Sequence, residues 1–269
     1  MSGRAGRYAL RGALALWVGG LVLLPLAATV AASLRGGFAA AVTAVTAPAA
    51  LEALWLSAWT GLIAAVVNAL AGTAIAWMIV RWKVPGRAWL SALVDLPLAI
   101  PTLVAGIVLV ALYGPQTLVG ATFAAWGAPI AFARPGIVLA LLFVTLPFVV
   151  RVVEPVLAEL DPAEEEAAAT LGASQITIFF RVLLPPLLPA IAAGAIQTFA
   201  RATAEFGSIA AVSGNMPGRT LVAPVYVLGE VEGGDVSGAA AVSVVLLALS
   251  LILHPLARQV ERWGGVHHA

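Results

Sequence analysis

The 269-residue chain has no cysteine, so disulfides, thiolate metal sites and a cysteine nucleophile are excluded. Charge is almost as scarce. Asp, Glu, Lys and Arg make up 10% of the residues, against roughly 25% in a soluble domain. With 62% of residues hydrophobic, the main solvent of this chain is lipid. The three histidines, His254, His267 and His268, have no metal-ligand spacing. A net charge of +1 gives no support for nucleic-acid binding. The histidines form no pair at a catalytic spacing, and Ser213-Gly214 lacks a basic partner at a recognisable spacing. An intramembrane enzyme therefore has no constellation to work with.

What is present is a series of apolar runs. Spans are expected at Gly12 to Ala32, Leu54 to Val80, Ala88 to Leu112, Pro135 to Val153, Pro186 to Phe206 and Ser237 to Leu256. Each is close to the roughly 20 residues that a helix needs to cross a bilayer. The expected fold is an all-α membrane protein of six transmembrane helices. Arg4, Arg7 and Arg11 before the first run imitate a signal peptide, but that run exceeds the usual apolar region of about 7 to 15 residues. It reads as an uncleaved span.

Lys and Arg flanking a span tend to stay in the cytoplasm. With the N-terminus inside, ten of the fourteen basic residues fall on the cytoplasmic side, Arg81, Lys83, Arg151 and Arg258 among them. Arg35, Arg134 and Arg219 face outward, and Arg201 lies within the fifth run. Both termini are then cytoplasmic. Pro97 and Pro101 interrupt the third run, and Pro185, Pro186 and Pro189 crowd the start of the fifth. A proline break in lipid survives where neighbours or a water-lined cavity satisfy the freed backbone groups. These two spans are expected to line a path, the alternative being that proline is simply more frequent in membrane helices.

The segment from Glu154 to Leu184 is the one long hydrophilic stretch on the expected cytoplasmic side. Asp161, Pro162 and Glu164 read as a helix start, with a capping carboxylate, proline at the first helical position and an acid three residues after the cap. Ala163, Ala167 and Leu171 recur every four residues until Gly172, which ends the helix. Ser174 then caps a second short helix leading to Leu184 and Pro185. Glu166-Ala167-Ala168, three residues, Gly172, nine residues, then Val182-Leu183-Leu184-Pro185 resembles the EAA loop of ABC-importer permeases. Valine stands where the family commonly has isoleucine.

The resemblance implies the type I ABC-importer permease fold, with Glu165, Glu166, Ala167, Ala168, Gly172 and Pro185 in a coupling loop that docks on an ABC ATPase dimer. It extends over roughly Leu54 to Leu256. The implied domains are 1–53, an N-terminal span and exterior loop; 54–256, the permease core with coupling loop 154–184; and 257–269, a cytoplasmic tail. Asp95-Leu96-Pro97, Leu146-Pro147-Phe148, Glu205-Phe206-Gly207-Ser208 and Ser213-Gly214-Asn215-Met216-Pro217 are similar to sulfate and molybdate permeases. Alanine stands at 204 where glycine is usual. The run from Phe143 to Leu171 is most similar to the CysT-type sulfate/thiosulfate subunit. Pro217-Gly218-Arg219-Thr220 and Glu232-Gly233-Gly234-Asp235 keep molybdate or tungstate open.

The implied partners are the ATPase dimer, a second permease that is either a related chain or another copy, an exterior substrate-binding protein and membrane lipid, in the bacterial cytoplasmic (inner) membrane. The chain has no Gly-x-x-x-x-Gly-Lys-Ser/Thr loop. It is therefore expected to bind no cofactor and not to be an enzyme, with ATP and Mg on the partner subunit. An ion-gradient transporter typically shows inverted repeats and several intramembrane acids, and neither is evident.

Arg201 and Glu205, four residues apart, read as one helix face within the membrane. They are expected, with Pro97 and Pro101, to line the translocation path, or else to form a structural ion pair. Asp95 is expected to satisfy backbone groups rather than to act on substrate.

Overall fold

In the computed structural model, which describes residues 2–81 and 86–263, the apolar runs are helices. Lys83, His267 and His268 lie outside the described residues. In chain order the elements are α1 (Ser2–Ser33), α2 (Phe38–Thr46), α3 (Pro48–Arg81), α4 (Arg87–Ala99), α5 (Thr102–Tyr113), α6 (Leu118–Ala125), α7 (Arg134–Glu159) and α8 (Pro162–Thr170). They continue with α9 (Gln175–Ile178), a π-helical turn (Phe179–Leu183), α10 (Leu184–Thr203), α11 (Gly207–Val212), α12 (Ala223–Glu232) and α13 (Val236–Trp263).

Among the described residues, five helical stretches are long and apolar enough to cross a bilayer: Leu10–Ser33, Pro48–Arg81, Arg134–Glu159, Gln175–Thr203 and Val236–Arg262. The sixth apolar run is broken. α4 and α5 meet at 107°, so the third span is a bent pair and not the continuous helix expected from Ala88 to Leu112. Pro97 lies buried inside α4 without ending it, whereas Pro101 stands at the break. The residue before a proline is pushed out of the helical region, and Ile100 is extended (φ −92°, ψ 131°).

The prolines of the fifth span act differently. The helix runs on from Gln175 to Thr203, because the π turn absorbs them. The Leu184 N–H donates five residues back to the Phe179 carbonyl, just before Pro185 and Pro186, which have no N–H to offer. The fifth span thus starts at Gln175 and not Pro186, and it ends at Thr203 and not Phe206.

Several expected boundaries move for related reasons. Glu154 and Glu159 belong to α7 rather than to the hydrophilic loop, since Glu154 is paired with Arg151 one turn before it. Position 53 falls inside α3 and position 257 inside α13.

The core is a packing of α3, α7 and α10 lined by small residues. Val149 of α7 fits between Gly72 of α3 and Gly194 of α10. A Cβ on Gly72 would lie 2.8 Å from the Val149 Cβ, and one on Gly194 would lie 3.0 Å from the Val149 Cα. Helices approach this closely in membranes only where small residues form the contact, because lipid supplies no hydrophobic drive between helices. Buried Asn68 adds a polar link from α3, its amide donating to the Leu142 carbonyl (3.1 Å) and the Thr145 hydroxyl (2.9 Å). Gly72→Leu forces side chains into a filled contact, and overpacking of this kind costs about 1–3 kcal/mol. A lower unfolding midpoint and a lower yield of the detergent-solubilised chain are expected, and an unchanged midpoint would contradict the contact.

Candidate functional site

The loop after α7 is built from local signals. The Asp161 carboxylate accepts from the Ala163 N–H at 2.9 Å and Pro162 takes the first helical position, so α8 begins there. Gly172 sits at φ +86°, a left-handed conformation that side chains rarely adopt. Ser174 then caps α9, its hydroxyl accepting from the Thr177 N–H at 3.2 Å. Nothing in α8 is buried. The apolar stripe expected from Ala163 to Leu171 is therefore not covered by this chain: Leu171 is 88% exposed, with Ile176 at 71% and Phe180 at 59%. Glu166, Ala167, Gly172 and Pro185 are exposed and Ala168 half-buried.

Glu165 departs from this group. It turns toward the bundle and forms an ion pair with Arg81, the last residue of α3, at 2.7 Å between Oε1 and Nε. Arg81 also donates through Nη2 to the Leu160 carbonyl at 3.0 Å. In the sequence Arg81 stands out only as one of the basic residues flanking a span.

A second charged cluster joins the broken span to α7. The Arg151 guanidinium grips Asp95 with two nitrogens, Nε–Oδ1 at 2.8 Å and Nη2–Oδ2 at 2.5 Å. It also pairs with Glu154 and donates to the hydroxyl (2.8 Å) and carbonyl (3.0 Å) of Ser91. Asp95 thus holds a guanidinium, not the backbone groups expected for it. A forked pair fixes direction as well as distance. The two charges lie on α4 and α7, which the fold places side by side.

The break between α4 and α5 leads to the third cluster. α11 packs on α5 so closely that a Cβ on Gly106 would meet the Ala211 Cβ at 2.8 Å, and one on Gly207 would meet the Leu103 N at 2.8 Å. Directly before α11 stands Glu205, 1% exposed. It is not on the Arg201 helix face as expected, because α10 ends at Thr203. From the turn that follows, its Oε2 pairs with Arg201 Nη2 at 2.6 Å. Its Oε1 accepts from both the N–H and the hydroxyl of Ser208, each at 3.0 Å. The carboxylate is fully engaged, and the Arg201 side chain stays about one third exposed (34%). Arg201, Glu205 and the residues after the Pro101 break thus lie along one connected region, while Pro97 is buried in α4. Among the described residues no cluster of three His, Asp or Glu side chains could hold a metal ion.

Five long spans, one bent pair and a projecting helix–glycine–helix unit define a polytopic membrane subunit. The chain is similar in fold to a solved bacterial ABC transporter that imports the acidic polysaccharide alginate, with a TM-score of 0.76 at 18% identity over 95% of this chain and 94% of that one. The chain belongs to the family described as binding-protein-dependent transport system inner membrane component, whose model matches residues 68–263. It is 43% identical over 232 residues to a probable sulfate transport system permease protein cysT of Nephroselmis olivacea, covering 86% of this chain and 82% of the relative. It is 41% identical over 218 residues to the sulfate transport system permease protein CysW of Synechocystis sp., covering 81% of this chain and 79% of the relative.

Proposed function

We propose that this chain is a permease subunit of an ATP-driven importer that carries sulfate or thiosulfate across the bacterial cytoplasmic membrane. The observation that carries the coupling role is the exposure of Leu171 and Ile176 on either side of the left-handed Gly172, with Phe180 also exposed in the turn that follows. An apolar tip beside acidic Glu166 suits a groove on a soluble partner, with the contact made by the small Ala167 and Ala168 and oriented by charge. That partner is an ABC ATPase dimer, which binds ATP and Mg. The unit faces the cytoplasm, in keeping with the basic residues at the same end of the bundle, Arg81 and Arg181.

Identity to sulfate permeases over most of both chains supports the cargo, and the CysW relative supports a related chain as the second permease. An exterior binding protein delivers the anion to the opposite side. The exposed part of Arg201 faces a water-filled path, since a charge that contacted lipid there would be costly, and Glu205 moderates its attraction so that a doubly charged anion is released. The cellular test is direct. Deleting this chain removes uptake of labelled sulfate and the full chain restores it. Uptake that is unaffected by the deletion, or loss of molybdate uptake alone, overturns the cargo assignment.

A further inference from the structure

α8 is attached to the bundle by two joints that are not helical. On one side Leu160 and Asp161 are extended (ψ 129° and 119°); on the other stands Gly172 at φ +86°. With no residue of its own buried, α8 has little packing to fix its angle. Arg81 supplies what packing does not. One guanidinium nitrogen meets Glu165 within α8, and another holds the Leu160 carbonyl beside the first joint. The two side chains are 15% and 21% exposed, so solvent and salt screen the pair less than an open surface pair. Glu164 and Glu166, its neighbours on α8, are exposed. Arg81 ends a 34-residue helix whose buried face runs from Ala50 to Ile79 against the rest of the core. A displacement applied at its tip moves the whole length, roughly 50 Å at 1.5 Å per residue.

We propose that the Glu165–Arg81 pair is a tie that carries movement of α8 directly into α3, in addition to the movement that passes along the continuous helix from Gln175 to Thr203. Glu165 is in this sense a positioning residue and makes no contact with the ATPase. This rests on the permease reading above. Because α3 packs on both α7 and α10 through Gly72 and Gly61, the tie makes the three core spans answer together.

The test uses the full complex of this chain, its second permease, the ATPase and the exterior binding protein, reconstituted in liposomes with sulfate. The readout is sulfate imported per ATP hydrolysed, a ratio that a merely structural role does not move. Glu165→Gln and Arg81→Gln each lower the ratio about fivefold, the lower end of ordinary coupling effects, with the ATPase still bound. The exchange of the two charges, Glu165→Arg with Arg81→Glu, restores it in part, because the ion pair is remade while a carboxylate at position 81 has no proton to donate to the Leu160 carbonyl. The cysteine-free chain allows a further variant, Glu165→Cys with Arg81→Cys, bridged by a short bis-maleimide, each thiol adding across one maleimide double bond. Its ratio is at the unaltered level when bridged and is about fivefold lower when unbridged, and this comparison decides the matter if the glutamine variants assemble poorly. A ratio unchanged in the single variants, or equal with and without the bridge, overturns the tie. Absence of ATP-driven import in the unaltered complex overturns the permease reading itself.

Discussion

Leu171→Asp leaves the chain folded and inserted but strips the ATPase from it. Leu171 is 88% exposed, so its loss removes nothing from the core, and the fold does not register the change. At the tip of the knob, however, a carboxylate enters what is read as an apolar contact with the partner. Truncating a central apolar anchor in an interface costs about 2 kcal/mol or more, and an uncompensated buried charge adds to that. Affinity for the ATPase therefore falls by at least about thirtyfold. Co-purification at graded ATPase concentrations measures this directly. Retention at the unaltered midpoint would remove the knob from the interface. Glu166→Gln, which keeps the size and changes only charge, should have a smaller effect that shrinks further at high salt.

Arg201→Gln separates transport from assembly. The guanidinium is about one third exposed where the surrounding span is apolar, and its loss removes the positive charge that the proposed path would offer to an oxyanion. Sulfate import should fall about tenfold, equivalent to ~1.4 kcal/mol on the barrier, while the complex still forms. Glu205→Leu behaves differently. It leaves Arg201 without its partner and the Ser208 N–H and hydroxyl without their acceptor. A fully buried pair broken this way costs about 3–5 kcal/mol, and partial exposure of Arg201 reduces that to about 2–3 kcal/mol. Lower yield and a lower unfolding midpoint are expected. Import measured per assembled complex, beside the midpoint, distinguishes the two variants. Normal import in Arg201→Gln would leave Arg201 a structural partner of Glu205 and nothing more.

The parts of this structure that depend on neighbours along the chain were legible in the sequence. Asp161, Pro162, Gly172 and Ser174 act through backbone groups a few residues away, and each sits where the local rules put it. What required the third dimension is equally specific. Pro101 breaks its helix and Pro185 does not, because a π turn satisfies the ladder before the second and an extended Ile100 precedes the first. Local composition does not distinguish those outcomes. Glu165 and Glu166 are adjacent in sequence but point about 100° apart around a helix, so one meets Arg81 and the other meets solvent. The family pattern begins at Glu166, which left Glu165 grouped with the residues that face outward.

The polar partners inside the bundle were the least legible. Asp95 and Arg151 are separated by 56 residues, and a pairing at that distance becomes visible only when α4 and α7 lie side by side. Arg201 and Glu205 were recognised as partners through their spacing, but for a helical reason that does not apply. The helix ends between them, and the buried carboxylate serves α11 as much as it serves the arginine. One carboxylate links the exposed guanidinium to the short helix packed against the broken span.

The central claim is that ATP hydrolysis by a separate subunit drives sulfate through this chain. It is tested most directly by proteoliposomes containing the chain, its second permease and the ATPase, with the binding protein outside and ATP inside. The account predicts labelled sulfate uptake that needs ATP, the binding protein and the unaltered knob together. Uptake by the chain without the ATPase, driven by an imposed proton or sodium gradient, would contradict it.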